Sequence, residues 1–184
     1  MPSEPTARDA EPQAEAPAAL GPLPGWEGLP SDDSPAPGSV LLSAVHAIPL
    51  VRKRYYRRSA DGVLVGKVWF GPGCEGPPGH AHGGALAAVL DEAMGFALWR
   101  AGHRTLAASL QVAFRRPMPL GSVALLEASI ERVEGRKITA RSVLQRDGGA
   151  AIAEATGLYI RLTDQQLEAF RRARAEGSPY HRPE

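Results

Sequence analysis

Residues 75–95 read EGPPGHAHGGALAAVLDEAMG and join a glycine- and proline-rich loop to a long apolar helix. From position 84 to about position 100, apolar residues recur at the period of a helix. They are Leu86, Leu90, Ala93 and Ala97. Gly102 then supplies a helix stop signal. The pattern predicts one long helix at the centre of the fold.

Strand patterns lie on both sides of this helix. Two runs precede it at 51–58 and 62–70, and four follow it at 105–114, 123–133, 137–146 and 151–162. A polar helix at about 165–176 comes last. Because strands and helices do not alternate, a doubly wound sheet is not expected. The order predicts an α+β fold with an antiparallel sheet around one central helix, and short turns make the last three strands sequential neighbours.

Composition divides the 184-residue chain into a tail and a body. Residues 1–37 hold 9 of the 17 prolines, with seven acidic residues and one basic residue, so they carry −6 and the remainder carries +7 of the net +1. We expect a disordered tail at 1–38, a folded domain at 39–163, and a C-terminal helix and tail at 164–184. Neither a secretory signal nor a membrane-spanning run is evident, and the near-neutral charge does not favour nucleic acid. A cytoplasmic protein is therefore expected.

Asp91 is the one feature of the helix that its apolar pattern does not explain. Its neighbours one and two turns away are mostly small, and they include Gly84, Ala87, Ala88 and Gly95. A carboxylate on an apolar face costs free energy unless it is paired or takes part in chemistry. Two interpretations remain open: an ion pair or amide contact with a partner subunit, or a catalytic carboxylate.

His82, Gly83 and Gly84 stand where the helix begins. Amides at a helix N-terminus point outward, and glycine lets a substrate oxygen approach them, so this turn could hold the oxyanion of an acyl transfer. An ordinary glycine turn is the alternative. Asp91 lies roughly 11–12 Å further along the axis. Two such helices packed antiparallel would bring one subunit's Asp91 to the other's helix start, which suits a site shared across a two-fold axis.

Other polar residues give weaker signals. His80 and His82 could be metal ligands, but no third ligand follows at a recognised spacing, so no metal is expected. Two basic pairs could hold the phosphates of a nucleotide-like carrier or could simply be solvated strand ends. These pairs are Arg115 with Arg116 and Arg136 with Lys137.

The run at 75–95, followed by SLQVAFRRPMPLGS, VEGRK and EATGLYIRL, resembles the hotdog-fold acyl-CoA thioesterases. The branch that it is most similar to holds the phenylacetate-pathway enzymes and the animal mitochondrial thioesterase-superfamily members. The resemblance implies a homodimer, often paired into tetramers, with two sites at the interface. It also implies that Asp91 is the catalytic carboxylate and that the Gly83 amide, with or without Gly84, polarises the thioester carbonyl.

The sequence departs from this family at one position. Some members of the branch carry a catalytic threonine where Ala107 stands here. Thr105 and Ser109 flank it two residues either side, and on a regular strand they would share its face, so either could hold the attacking water. His80 also replaces an apolar residue, and we place it with these two among the substrate-binding candidates. Candidates for an acyl pocket are Met94, Phe96, Trp99 and Phe114.

We therefore predict hydrolysis of acyl-CoA to the free acid and coenzyme A, with no cofactor beyond the coenzyme A of the substrate. Asp91 acts as general base or nucleophile, Gly83 stabilises the oxyanion, and His82 orients the loop or touches the substrate. A hydratase or dehydratase that uses His82 and Asp91 on the same fold is one alternative. A non-catalytic acyl-CoA-binding module is the other.

Overall fold

The computed structural model describes residues 20–29, 50–146 and 149–175. Within these residues it has seven strands and two long helices. The strands are β1 (Trp26–Gly28), β2 (Val51–Arg58), β3 (Leu64–Phe70), β4 (Thr105–Phe114), β5 (Val123–Glu134), β6 (Lys137–Gln145) and β7 (Ala151–Arg161). The helices are α1 (Gly83–Arg100) and α2 (Asp164–Ala175). The predicted elements are therefore present, with their ends shifted by one or two residues.

All strands form one antiparallel sheet in the order β1-β2-β3-β5-β6-β7-β4. As predicted, β5, β6 and β7 are sequential neighbours. α1 packs against β4, β5, β6 and β7, so the sheet curves around it. The α+β architecture with one central helix is confirmed.

The core lies between α1 and the concave face of the sheet. Val89, Leu90 and Met94 of α1 are fully buried there, and Ser142 of β6 donates a 2.9 Å hydrogen bond to the Leu90 carbonyl oxygen. Phe96 is also buried, so Met94 and Phe96 belong to the core rather than to an open acyl pocket.

Part of the predicted disordered tail lies against the domain. β1 pairs with β2, the Trp26 and Tyr56 rings lie 5.6 Å apart, and Tyr56 donates its hydroxyl proton to the Leu20 carbonyl oxygen at 2.7 Å. The prediction therefore needs correction at 20–29, because the Trp26 ring offers enough apolar surface to hold the segment in place. The rest of that prediction, and the tail beyond residue 175, lie outside the described residues.

β4 is an edge strand with an apolar surface. It pairs with β7 on one side, and no described strand pairs with its other side. Leu106, Leu110 and Phe114 are 51%, 39% and 54% exposed. Such an edge can pair with a further strand. None of the helices in the described segments is long and apolar enough to cross a membrane.

Candidate active site

His82 caps the N-terminus of α1. Its Nδ1 accepts the Gly84 N–H at 2.9 Å, and its carbonyl oxygen accepts the Ala85 N–H. Because Nδ1 is an acceptor, the neutral ring carries its proton on Nε2. The predicted loop-orienting role of His82 therefore has a structural basis, whereas the Gly84 amide is already used by the cap.

The Gly83 amide is the donor that remains available. No described residue accepts a hydrogen bond from its N–H. The exposed Phe114 ring lies beside it, because a Cβ built on Gly83 would approach the ring Cζ to 3.3 Å. The amide therefore points out of the helix start next to an apolar surface, as an oxyanion donor must.

The loop before α1 is held by backbone hydrogen bonds, both within the loop and to the segment between β4 and β5. Ala81 N–H donates to the Met118 carbonyl oxygen and His82 N–H to the Cys74 carbonyl oxygen, both at 2.8 Å. Gly76 lies so close that a Cβ there would be 2.7 Å from the His82 Cα, which only glycine permits. His80 is occupied locally, because its Nδ1 donates to the Pro78 carbonyl oxygen at 2.9 Å.

Asp91 is held by a tyrosine of its own chain. The Tyr159 hydroxyl donates to Asp91 Oδ1 at 2.8 Å and lies 3.3 Å from the Asp91 carbonyl oxygen. No described residue donates to Oδ2 or forms an ion pair with Asp91. The half-buried carboxylate is therefore fixed through one oxygen and open at the other.

Tyr159 was not among the predicted site residues. Burial, followed by the charge of Asp91 and their hydrogen bond, raises the pKa of Tyr159 above its usual value. The hydroxyl therefore keeps its proton and remains a donor. Gly157 makes room for the ring, because a Cβ there would lie 2.5 Å from Tyr159 Cε2. A glycine two residues before an inward-facing tyrosine is the sequence signal that could have identified the pair.

A β-bulge changes which β4 residues face Asp91. Ala107 pairs directly with Tyr159, but the register shifts between Ala107 and Ser109, so that Ser109 pairs with Leu158. Directly paired residues point to the same side of a sheet, and Leu158 and Tyr159 point to opposite sides. Ser109 therefore lies on the outer face, and the prediction that it shares a face with Ala107 is wrong. Thr105, which pairs with Arg161, does share that face.

The two basic pairs lie at opposite ends of β7. Phe114 pairs with Ala153, and Lys137 pairs with Ile160, so seven residues, roughly 24 Å, separate the two ends. At the first end, Arg115 lies 3.1 Å from Glu154 and Arg116 donates to the Ala151 carbonyl oxygen. At the second, Arg136 donates to the Arg161 carbonyl oxygen at 3.1 Å. One chain alone does not bring the pairs together.

The described residues favour neither a reactive thiol nor a metal site. Cys74 is buried, its Sγ donates to the Gly71 carbonyl oxygen at 3.0 Å, and burial raises the pKa of its thiol. Across the described part of the chain, histidine, cysteine and acidic side chains form no group of three that could hold a metal ion. The available chemistry is thus a carboxylate and a helix-start amide.

A long helix enclosed by an antiparallel sheet, with a carboxylate halfway along it and an open glycine amide at its start, defines a hotdog-type acyl-transfer scaffold. The family model of the thioesterase superfamily matches residues 78–153. The chain is 37% identical to Acyl-coenzyme A thioesterase THEM4 of Xenopus laevis over 157 residues, which cover 74% of this chain and 68% of the relative. The chain belongs to the thioesterase superfamily, and the resemblance found in its sequence is confirmed.

Solved structures support the same assignment. A thioesterase superfamily protein of known crystal structure is 32% identical, with a TM-score of 0.56 over 59% of this chain and 53% of that chain. The BH2602 protein from Bacillus halodurans, solved with CoA, is 26% identical, with a TM-score of 0.53 over 60% and 74%. The hotdog fold is thereby confirmed. The chain spans about two fifths of the mouse and bovine relatives that it also matches.

Proposed function

We propose that this chain hydrolyses acyl-CoA thioesters to the free acid and coenzyme A. The observation that carries the proposal is the environment of Asp91, which is fixed through Oδ1 and open at Oδ2 on a mostly apolar helix. The relatives named acyl-coenzyme A thioesterases and the CoA-bound structure of the BH2602 protein support the choice of substrate.

The reaction divides between Asp91 and Gly83. In the general-base route, Oδ2 takes a proton from water while the water oxygen attacks the thioester carbonyl carbon. The carbonyl electron pair moves onto its oxygen, where the Gly83 N–H stabilises it. When the tetrahedral centre collapses, the C–S bond breaks and the thiolate of coenzyme A receives the proton from Asp91.

The nucleophilic route uses the same atoms in a different order. Oδ2 attacks the carbonyl carbon, and when the tetrahedral intermediate collapses the C–S bond breaks, so that the thiolate leaves and a mixed anhydride remains on Asp91. Water then hydrolyses the anhydride and regenerates the carboxylate. Both routes need Oδ1 to be held, which the Tyr159 hydroxyl does.

The site is completed by a second copy of the chain. Asp91 and Gly83 are two helical turns apart, roughly 12 Å, so they cannot act on one carbonyl within one chain. The apolar edge of β4 and the small residues around Asp91 offer a self-complementary surface for a homodimer. When two chains pack antiparallel, the Arg115–Arg116 pair of one chain comes near the Arg136–Lys137 pair of the other. Together these basic residues can bind the phosphates of coenzyme A.

Thiol release from a panel of acyl-CoAs tests this proposal. Wild type is expected to release coenzyme A, and Asp91→Asn is expected to lose most of that turnover while its fold and dimer persist. Glu131→Gln is the matched control, because Glu131 is exposed on β5. Wild-type rates in Asp91→Asn would refute the assignment. Water addition to an enoyl-CoA without thiol release would instead identify a hydratase.

A further inference from the structure

An open cavity of about 500 Å³ lies beside the proposed reaction centre. It is enclosed by the C-terminal half of α1, the start of β4, the end of β7 and the helix α2. Its walls are mainly apolar and include Trp99, Leu162, Leu167 and Phe170. Among the described residues, arginines line part of it but no carboxylate does. A volume of this size suits a small organic ligand.

The cavity reaches the tyrosine that holds Asp91. Tyr159, whose hydroxyl holds Asp91, also lines the cavity. Gly95, one helical turn beyond Asp91 on the same face, lines it too, and a Cβ built on Gly95 would meet no atom within 4 Å. No side chain therefore projects from α1 at Gly95, between Asp91 and the cavity. An acyl chain has room to lie along this part of the helix.

α2 contributes an apolar wall from outside the hotdog core. Leu167 and Phe170, three residues apart on one face, line the cavity, whereas the charged residues Glu168 and Arg172 bond to each other at 3.3 Å. Phe170 is 51% exposed. An apolar ligand in the cavity would cover part of that ring, which supplies a driving force for binding.

We propose that this cavity binds the acyl group of the substrate, and that Gly95 and the α2 residues Leu167 and Phe170 determine how long that group can be. This inference rests on the proposed thioesterase function. It deepens that function by naming the substrate class: linear or aromatic apolar acyl groups larger than acetyl. Specificity then depends on α2, an element that lies beyond the residues matched by the family model.

The first test compares kcat/KM for acetyl-, butyryl-, octanoyl- and lauroyl-CoA in the full-length chain. In wild type, each methylene that enters the cavity is expected to raise kcat/KM by about fourfold, up to the length that fills it. Gly95→Leu places a side chain in the open space and also improves helix propensity. We expect it to lower kcat/KM for octanoyl-CoA by at least about tenfold more than it lowers kcat/KM for acetyl-CoA.

A second pair of variants tests α2 without touching α1. Phe170→Ala removes an apolar side chain from the cavity lining. It should make kcat/KM depend less on the length of the acyl group. Arg172→Ala, an exposed α2 position outside the cavity lining, is the matched control and should keep the wild-type profile. If Gly95→Leu fails to fold or to dimerise, the α2 pair alone decides the question.

Binding measurements separate this inference from the proposed function. Calorimetric titration of Asp91→Asn with acetyl-CoA and octanoyl-CoA reports the cavity without turnover. Tighter binding of octanoyl-CoA, lost when Gly95→Leu is added, supports the inference even if wild type releases no thiol. Equal affinity for both ligands, or wild-type chain-length profiles in Gly95→Leu and Phe170→Ala, would overturn it while active hydrolysis left the proposed function standing.

Discussion

Asp91 and Glu92 are adjacent carboxylates on α1 with contrasting surroundings. They point about 100° apart around the helix axis. Each accepts a hydrogen bond from a buried tyrosine: Asp91 from Tyr159 at 2.8 Å and Glu92 from Tyr55 at 3.2 Å. Among the described residues, Glu92 alone of the two also pairs with a cation, Lys53.

The two carboxylates differ in whether a cation, Lys53, lies beside them. The Glu92 side chain is 13% exposed, and Lys53 neutralises it and ties α1 to β2. Asp91 has no cation partner among the described residues, and none of them donates a hydrogen bond to its Oδ2. The same helix thus carries a carboxylate paired with a cation on one face and, on the next, a carboxylate with no cation partner among the described residues.

Replacing each carboxylate by its amide should separate the two roles most strongly. Asp91→Asn removes the base or nucleophile and is expected to lower kcat by roughly 10²–10⁴ with little change in stability. Glu92→Gln leaves the Lys53 ammonium without its counter-charge and should lower the free energy of unfolding by about 3 kcal/mol. Thiol-release kinetics and urea denaturation of both variants give the comparison. The distinction fails if Glu92→Gln is stable but inactive.

The next largest effect on kcat is expected at Gly83, where a substitution can remove one hydrogen-bond donor. Proline suits the first position of a helix, and the preceding residue His82 already has φ −63° and ψ 138°, which proline requires. Gly83→Pro should therefore keep the helix, lose the oxyanion donor and lower kcat by roughly 10²–10³. Gly83→Ala, which meets the same Phe114 ring but keeps its N–H, is the control and should retain much more activity.

The same variants reveal whether one site uses two chains. When Asp91→Asn and Gly83→Pro are co-expressed, a heterodimer holds one site with neither change. Random pairing should then restore about a quarter of the wild-type turnover. No recovery, with heterodimers detected by mass, would mean that both groups act from a single chain.

Removing the Tyr159 hydroxyl should have a smaller effect on kcat, and it again distinguishes the α1 face that carries Asp91 from the face that carries Glu92. Tyr159→Phe removes the donor to Asp91 Oδ1 and is expected to lower kcat about tenfold, the usual loss for a hydrogen bond to a charged group. Gly157→Ala should act in the same direction by displacing the ring. Tyr55→Phe, the equivalent change beside Glu92, should alter stability but leave kcat close to wild type. Equal kinetic losses in both tyrosine variants would contradict the assignment.

The predictable part of this molecule is its periodic part. α1 and the six longer strands follow from the spacing of apolar residues, and Asp91 is visible because a carboxylate interrupts an apolar helix. His82 and Gly83 are identifiable because they immediately precede that helix. Each of these features is local in sequence, where side-chain period and helix-start chemistry are sufficient evidence.

The missed features all depend on contacts between distant positions. Tyr159 lies 68 positions from Asp91 and meets it because β7 packs on α1, and Lys53 reaches Glu92 across 39 positions. The bulge at Ala108 adds one residue and reverses the phase of Ser109, and no residue type there signals it. Sequence spacing alone therefore places Thr105 correctly and Ser109 on the wrong face.

Alkaline pH provides the last and smallest test of the two tyrosines. Burial, with the nearby carboxylate as the next cause, raises the pKa of both Tyr55 and Tyr159. In the unfolded chain these groups lose their protons near pH 10, while the folded chain retains them. Above pH 10 the unfolded state binds fewer protons, so the free energy of unfolding must fall as pH rises.

The expected slope is about 1.4 kcal/mol per pH unit for each tyrosine. Tyr159→Phe and Tyr55→Phe should each remove one such contribution, which urea denaturation between pH 9 and pH 11 would measure (roughly one unit either side of the unfolded tyrosine pKa). Asp91→Asn should leave the Tyr159 contribution to this slope in place, because burial is the larger cause of its raised pKa. Loss of that contribution in Asp91→Asn would mean that the Asp91 charge, rather than burial, is the larger cause.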